Sequence, residues 1–116
     1  MPEYVEVCSP RDISDGGMKA FTVKGKDVLI AKAENKIYAA SDICPHMKAR
    51  LNRGTLQGTI VTCPRHESRF DLKDGHVVQW TNLSGITLTI GKLFRSPRPL
   101  EIYPVKVEGD KVYIEI

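Results

Sequence analysis

At 116 residues the chain has room for one domain that buries roughly 65% of its unfolded surface, and no second core is required. Hydrophobic residues make up 41% and charged residues 27%, which excludes a disordered chain, and no apolar run approaches membrane-spanning length. The net charge of +3 is mild, and the scattered aromatics form no stacking motif, so neither nucleic acid nor membrane is an expected partner.

In chain order, alternating or β-branched runs at 4–7, 19–23, 28–33, 36–40, 59–62, 76–79, 86–90, 103–107 and 111–116 predict strands. The N-terminal MPEYVEV has no cationic segment leading into an apolar stretch, so a cytoplasmic location is the expectation. Cys8, at the end of the first run, reads as a small buried hydrophobe. Residues 10–14 suggest a short helical turn, and no helical period survives elsewhere. Turn signals follow at DGG (15–17), KGKD (24–27), ENK (34–36), KDG (73–75) and EGD (108–110). The pattern predicts an all-β fold of small packed antiparallel sheets. Residues 28–40 and 103–116 read as hairpins of a base domain, about 1–41 and 76–116. Between them, about 42–75 reads as an inserted unit too poor in apolar residues for a core of its own, which points to a metal centre holding it together.

That unit contains TCPRHESRF, with Cys63 and His66, and upstream DICPHMK, with Cys44 and His46. The pattern is CxH, sixteen residues, then CxxH. One thiolate and one imidazole from each of two loops suit tetrahedral zinc, although zinc fingers group their ligands differently. They suit better a [2Fe-2S] cluster with cysteines on one iron and histidines on the other.

CPHM, the sixteen-residue spacer and CPRHESRFDLKDG closely resemble the signature of the Rieske family. VLIAKAENKIYAASDICPH is similar to the paired strands that lead into the first ligand loop of soluble Rieske ferredoxins, and SPRPLEIYPVKVEGDKVYIEI to their closing hairpin. The resemblance implies a Rieske-like antiparallel β-sandwich with an inserted cluster-binding subdomain and one [2Fe-2S] cluster per chain. It makes Cys44 and Cys63 ligands of the iron that stays ferric, and His46 and His66 ligands of the iron that is reduced. Two thiolates in place of four leave the oxidised centre near neutral, which raises its potential above that of an all-cysteine cluster. The resemblance also places Ser68 where a hydroxyl can donate to a bridging sulfide. Phe70 stands where high-potential members carry tyrosine, Met47 is expected to cover the cluster, and Glu67 takes a position that is glycine in many relatives. Ala49 and Arg65 replace the two extra cysteines of the respiratory-complex type. The expected protein is therefore a soluble one-electron carrier of low to intermediate potential.

Such a carrier takes electrons from a flavoprotein reductase or similar donor and passes them to a terminal oxygenase or reductase. Lys48, Arg50, Arg53, Arg65 and Arg69 are expected to ring the cluster mouth and to meet an acidic docking patch on the redox partner. Alternatives are a small redox subunit of a nitrite-reductase-like complex, a cluster used for sensing, or a zinc-stabilised interaction module. No nucleophile with a base and no paired carboxylates appear, so the chain is not expected to be an enzyme itself. His76 reads as an ordinary strand residue. Trp80 and Tyr103 read as core, and 81–99 as an added segment that packs as an edge strand.

Overall fold

A computed structural model describes residues 3–45, 49–65, 67–79 and 99–116. The strand expected at 86–90, Trp80 and all of the added segment except Pro99 lie outside them. The described residues form three antiparallel sheets and no α-helix. The first sheet joins β1 (Tyr4–Cys8), β11 (Lys111–Glu115) and β10 (Val105–Glu108). The second joins β2 (Met18–Val23), β3 (Lys26–Ala33), β4 (Lys36–Ser41) and β9 (Ile102–Tyr103). The third joins β5 (Thr55–Gln57), β6 (Ile60–Thr62), β7 (Arg69–Asp71) and β8 (Val77–Gln79). The expected turn at 10–14 is a 3-10 turn, Pro10–Asp12, capped by Ser9.

Turn chemistry sets the registers. Val23 pairs with Lys26 across Lys24–Gly25, whose φ angles of 51° and 77° are those of a type I′ hairpin, where glycine carries no Cβ penalty. Ala33 pairs with Lys36 across Glu34–Asn35, both also at positive φ. The run expected at 103–107 is two strands. Pro104 has no N–H to give a ladder, and the chain changes sheet there, β9 pairing with β4 and β10 with β11.

The second sheet is the middle layer. Val28, Leu29, Ile30 and Ala31 are all wholly buried, so β3 lacks the alternation of a half-exposed strand. Val28 and Ile30 pack with Ile13, Tyr103 and Ile114 against the first sheet. Leu29 and Ala31 face the other way, into a core shared with Leu51, Val61, Phe70, Leu72, Leu100 and both Cys44 and Cys63. The unit expected to lack its own core thus completes one with the outer face of β3 and β4. Full burial of Phe70 alone stabilises this contact by about 1.5–3 kcal/mol. A second attachment lies at Gly75, whose carbonyl accepts the Leu100 N–H at 2.8 Å while its own N–H donates to Asp71 O at 2.7 Å.

Tyr103 is buried, and its hydroxyl donates to Glu101 at 3.0 Å. Burial, followed by the Glu101 carboxylate, pushes its pKa up to about 12 from 10.0. An unfolded chain ionises this phenol first, so stability is retained below about pH 10 and falls as pH rises toward 12. Thermal melts across that range should show the fall, and Tyr103→Phe should flatten it. An equal alkaline slope in the variant would contradict this assignment.

Candidate metal centre

Two loops of the same build meet in the shared core. The first leaves an antiparallel bridge between Ile43 and Arg50, and the Cys44 N–H closes it by donating to Ala49 O at 2.8 Å. The second leaves the β6–β7 hairpin beyond the Thr62–Arg69 pair, and the Cys63 N–H closes it by donating to Ser68 O, also at 2.8 Å. In each, the cysteine begins the loop, proline follows it, and its amide reaches the carbonyl five residues on. Cys44 and Cys63 are 0% and 1% exposed, share one buried cluster, and form no disulfide. His46, Met47, Lys48 and His66 lie outside the described residues.

The neighbours follow from the sheet. Ser68 is fully buried at the end of the second loop, and Phe70, two residues on, is fully buried against Val61. Phe70 therefore fills the core beneath the loop. Glu67 is exposed, with φ at +58°, a conformation that disfavours side chains, so glutamate keeps the backbone shape that glycine would adopt more easily. Its carbonyl accepts Gln79 Nε2 at 3.1 Å, which ties the loop to β8. Asp71 steadies the following turn by accepting from Thr59 Oγ1 at 3.0 Å and from the Lys73 N–H at 2.9 Å. His76 stands just before β8, with Nδ1 2.6 Å from Asp74. The His76 backbone N–H and ring hold the Asp74 carboxyl below its usual range.

The expected basic ring is reduced. Arg50 is engaged inside the molecule, 3.0 Å from Asp27 and 3.6 Å from Asp42. Arg53, Arg65 and Arg69 are exposed and make no ion pair among the described residues. Arg53 and Arg65 line a groove of about 400 Å³ with Gly54, Thr62, Cys63 and Glu67. The roles of two residues escaped the sequence reading. Asp42 is a fully buried carboxylate beneath the first loop, where burial pushes its pKa up while Asn52 and Arg50 oppose the rise. Gly54 lies against Thr62 and Pro64. The aspartate at least stands two residues before a cysteine; the glycine gives no sequence signal for its contact.

Residues 3–104 match the family model for the Rieske [2Fe-2S] domain. The chain belongs to the Rieske family. It is 30% identical over 98% of its length to the ferredoxin component of the naphthalene 1,2-dioxygenase system of Pseudomonas aeruginosa, covering 96% of that protein. It is 33% identical over 97% of its length to the ferredoxin component of the alkene monooxygenase system of Xanthobacter autotrophicus, covering 80% of it. Among solved structures, it is similar to a chain of the complex of reduced oxygenase and oxidized ferredoxin in carbazole 1,9a-dioxygenase. The TM-score is 0.77 at 25% identity, with 97% of this chain and 92% of that one covered. This Rieske protein is an electron carrier of the ferredoxin kind rather than a catalyst. No helix among its described residues is long and apolar enough to cross a membrane.

The thiols fit the group the family name implies. Both are buried in an apolar setting, on loops closed by the same hydrogen bond, and soft thiolate ligands suit an iron–sulfur cluster.

Proposed function

We propose that one [2Fe-2S] cluster per chain is held by Cys44 and Cys63 on one iron and His46 and His66 on the other. The protein would then carry single electrons in the cytoplasm from a flavoprotein reductase to a terminal oxygenase. The cluster supplies the one-electron redox couple. The chain supplies a buried thiolate side, loops closed by main-chain hydrogen bonds, and Ser68 and Phe70 beneath the second loop, with Met47 and Glu67 beside the histidines. The observation that carries this reading is the matched pair of loops, each closed from its cysteine amide to the carbonyl five residues on. The relatives' roles as ferredoxin components of oxygenase systems support the direction of transfer. The chain divides naturally into a cluster-binding part, about 42–75, and a base formed by the remainder. The test is electron paramagnetic resonance of the reduced protein. A mixed cysteine–histidine set gives a lower average g value than an all-cysteine cluster, and a colourless, zinc-containing preparation would defeat the assignment.

The acidic partner surface follows from Arg53 and Arg65, which make no ion pair among the described residues. Arg53 and Arg65 flank a groove that reaches Cys63, so a partner carboxylate seated there would dock beside the ligand loop. Reversing both charges, Arg53→Glu with Arg65→Glu, should slow electron transfer to the oxygenase component about tenfold or more at low ionic strength. The wild-type rate should also fall with added salt. Stopped-flow rates that ignore both charge and salt would refute an acidic docking patch.

A further inference from the structure

The two ligand loops rise from unequal supports. The second leaves a hairpin inside a four-stranded sheet, whereas the first leaves a stem with a single isolated bridge, Ile43 to Arg50. Beneath that stem lies Asp42. Asp42 and Cys44 flank Ile43, the residue that makes the bridge, and both are 0% exposed. The Asp42 carboxylate accepts the Asn52 backbone N–H at 2.8 Å. With its nitrogen turned toward the carboxylate, the Asn52 side-chain amide donates at 2.8 and 3.1 Å as well. Arg50 Nη1 stands 3.6 Å from the same carboxylate and 3.0 Å from Asp27 on β3. The main chain adds the Asp42 N–H to Asp27 O at 3.0 Å and the Leu51 N–H to Asp42 O at 2.8 Å.

A buried carboxylate is costly to desolvate, and an apolar side chain of similar size would fill the space without that cost. What the carboxylate adds is several acceptor positions that draw donors from the opposite limb of the stem. We propose that Asp42 is the positioning residue of the first ligand loop. Its carboxylate gathers Asn52 and Arg50 so that the loop carrying Cys44 and His46 leaves a rigid stem, and Arg50 extends that lock to the base sheet through Asp27. The proposal rests on the ligand assignment given above.

The test compares cluster-loaded wild-type protein with Asp42→Ala, Asp42→Asn and Arg50→Gln. Cluster release to an iron chelator is followed by loss of visible absorption, and each reduced protein is examined by electron paramagnetic resonance. Asp42→Ala should release its cluster about tenfold to a hundredfold faster, with shifted and broadened g values. Asp42→Asn, which keeps an acceptor for the Asn52 N–H but loses the charge, should fall between. If Asp42→Ala does not fold, Arg50→Gln decides. It cuts the link to Asp27 from the exposed end, and should also speed release and shift the g values, by less. Wild-type release rates in the variants overturn the proposal. Faster release with unchanged g values also overturns it, because a general loss of stability gives that result. A wild-type protein lacking the mixed-ligand signal overturns the ligand assignment itself, whatever the variants do.

Discussion

Cys63→Ser is expected to give a protein that folds but carries no cluster: colourless, without bound sulfide, and silent in electron paramagnetic resonance after reduction. The reason is chemical rather than steric. The Cys63 side chain is 1% exposed, and serine occupies nearly the same volume while its backbone N–H can still donate to Ser68 O. Burying a hydroxyl in place of the thiol costs about 1–3 kcal/mol, a loss that a domain with two hydrophobic clusters should survive. A serine hydroxyl, unlike a thiol, does not ionise readily and is a poor partner for iron and sulfide. Cys44→Ser should behave alike. Cys8→Ser is the control, because Cys8 is half-buried in β1 and its thiol pKa is pushed up by burial and then by Asp12, against Lys19. Circular dichroism with iron and sulfide analysis separates the outcomes, and a Cys63→Ser protein with a full cluster would exclude Cys63 as a ligand.

Gly54→Ala is expected to be among the most damaging single substitutions outside the ligands. Gly54 ends a 3-10 turn, Leu51–Arg53, with its N–H donating to Leu51 O at 2.9 Å. A Cβ there would penetrate the Thr62 carbonyl oxygen and stand 3.2 Å from Pro64 Cδ. Neither obstacle can swing aside. Thr62 is pinned between Thr55 and Arg69 in the third sheet, and Pro64 follows a candidate ligand. Overpacking of this kind costs about 3 kcal/mol, which corresponds to a fall in melting temperature on the order of 10–20 °C. Calorimetry of the loaded protein, with cluster content measured alongside, checks the prediction. A fall of only a degree or two would mean that the third sheet yields at this edge.

Much of the architecture could be read from local pattern. Type I′ turns at Lys24–Gly25 and Glu34–Asn35 define their hairpins because only a few residues sit easily at positive φ. The strands β5 and β7 were missed, since three residues each of TLQ and RFD carry no period that stands out from a loop. The inserted unit, expected to depend on a metal centre, also packs through Leu51, Val61, Phe70 and Leu72 on the outer face of β3 and β4. Their contribution is invisible locally because the residues they bury against lie on β3 and β4, earlier in the chain. Arg50 was counted with the docking charges for a related reason: its partners Asp27 and Asp42 come from another strand and from beneath the loop.

The chain by itself determined the chemistry. Cysteine, proline and histidine at these spacings point to the proposed ligand set, and strand-length runs between turn residues identify an all-β fold, because both are properties of neighbouring residues. Tertiary structure alone decided which charges are spent and which remain outside, that a carboxylate is buried under the first loop, and that a glycine must lie where the loops approach. Those are relations between segments distant in sequence, and they come into being only when the sheets pack.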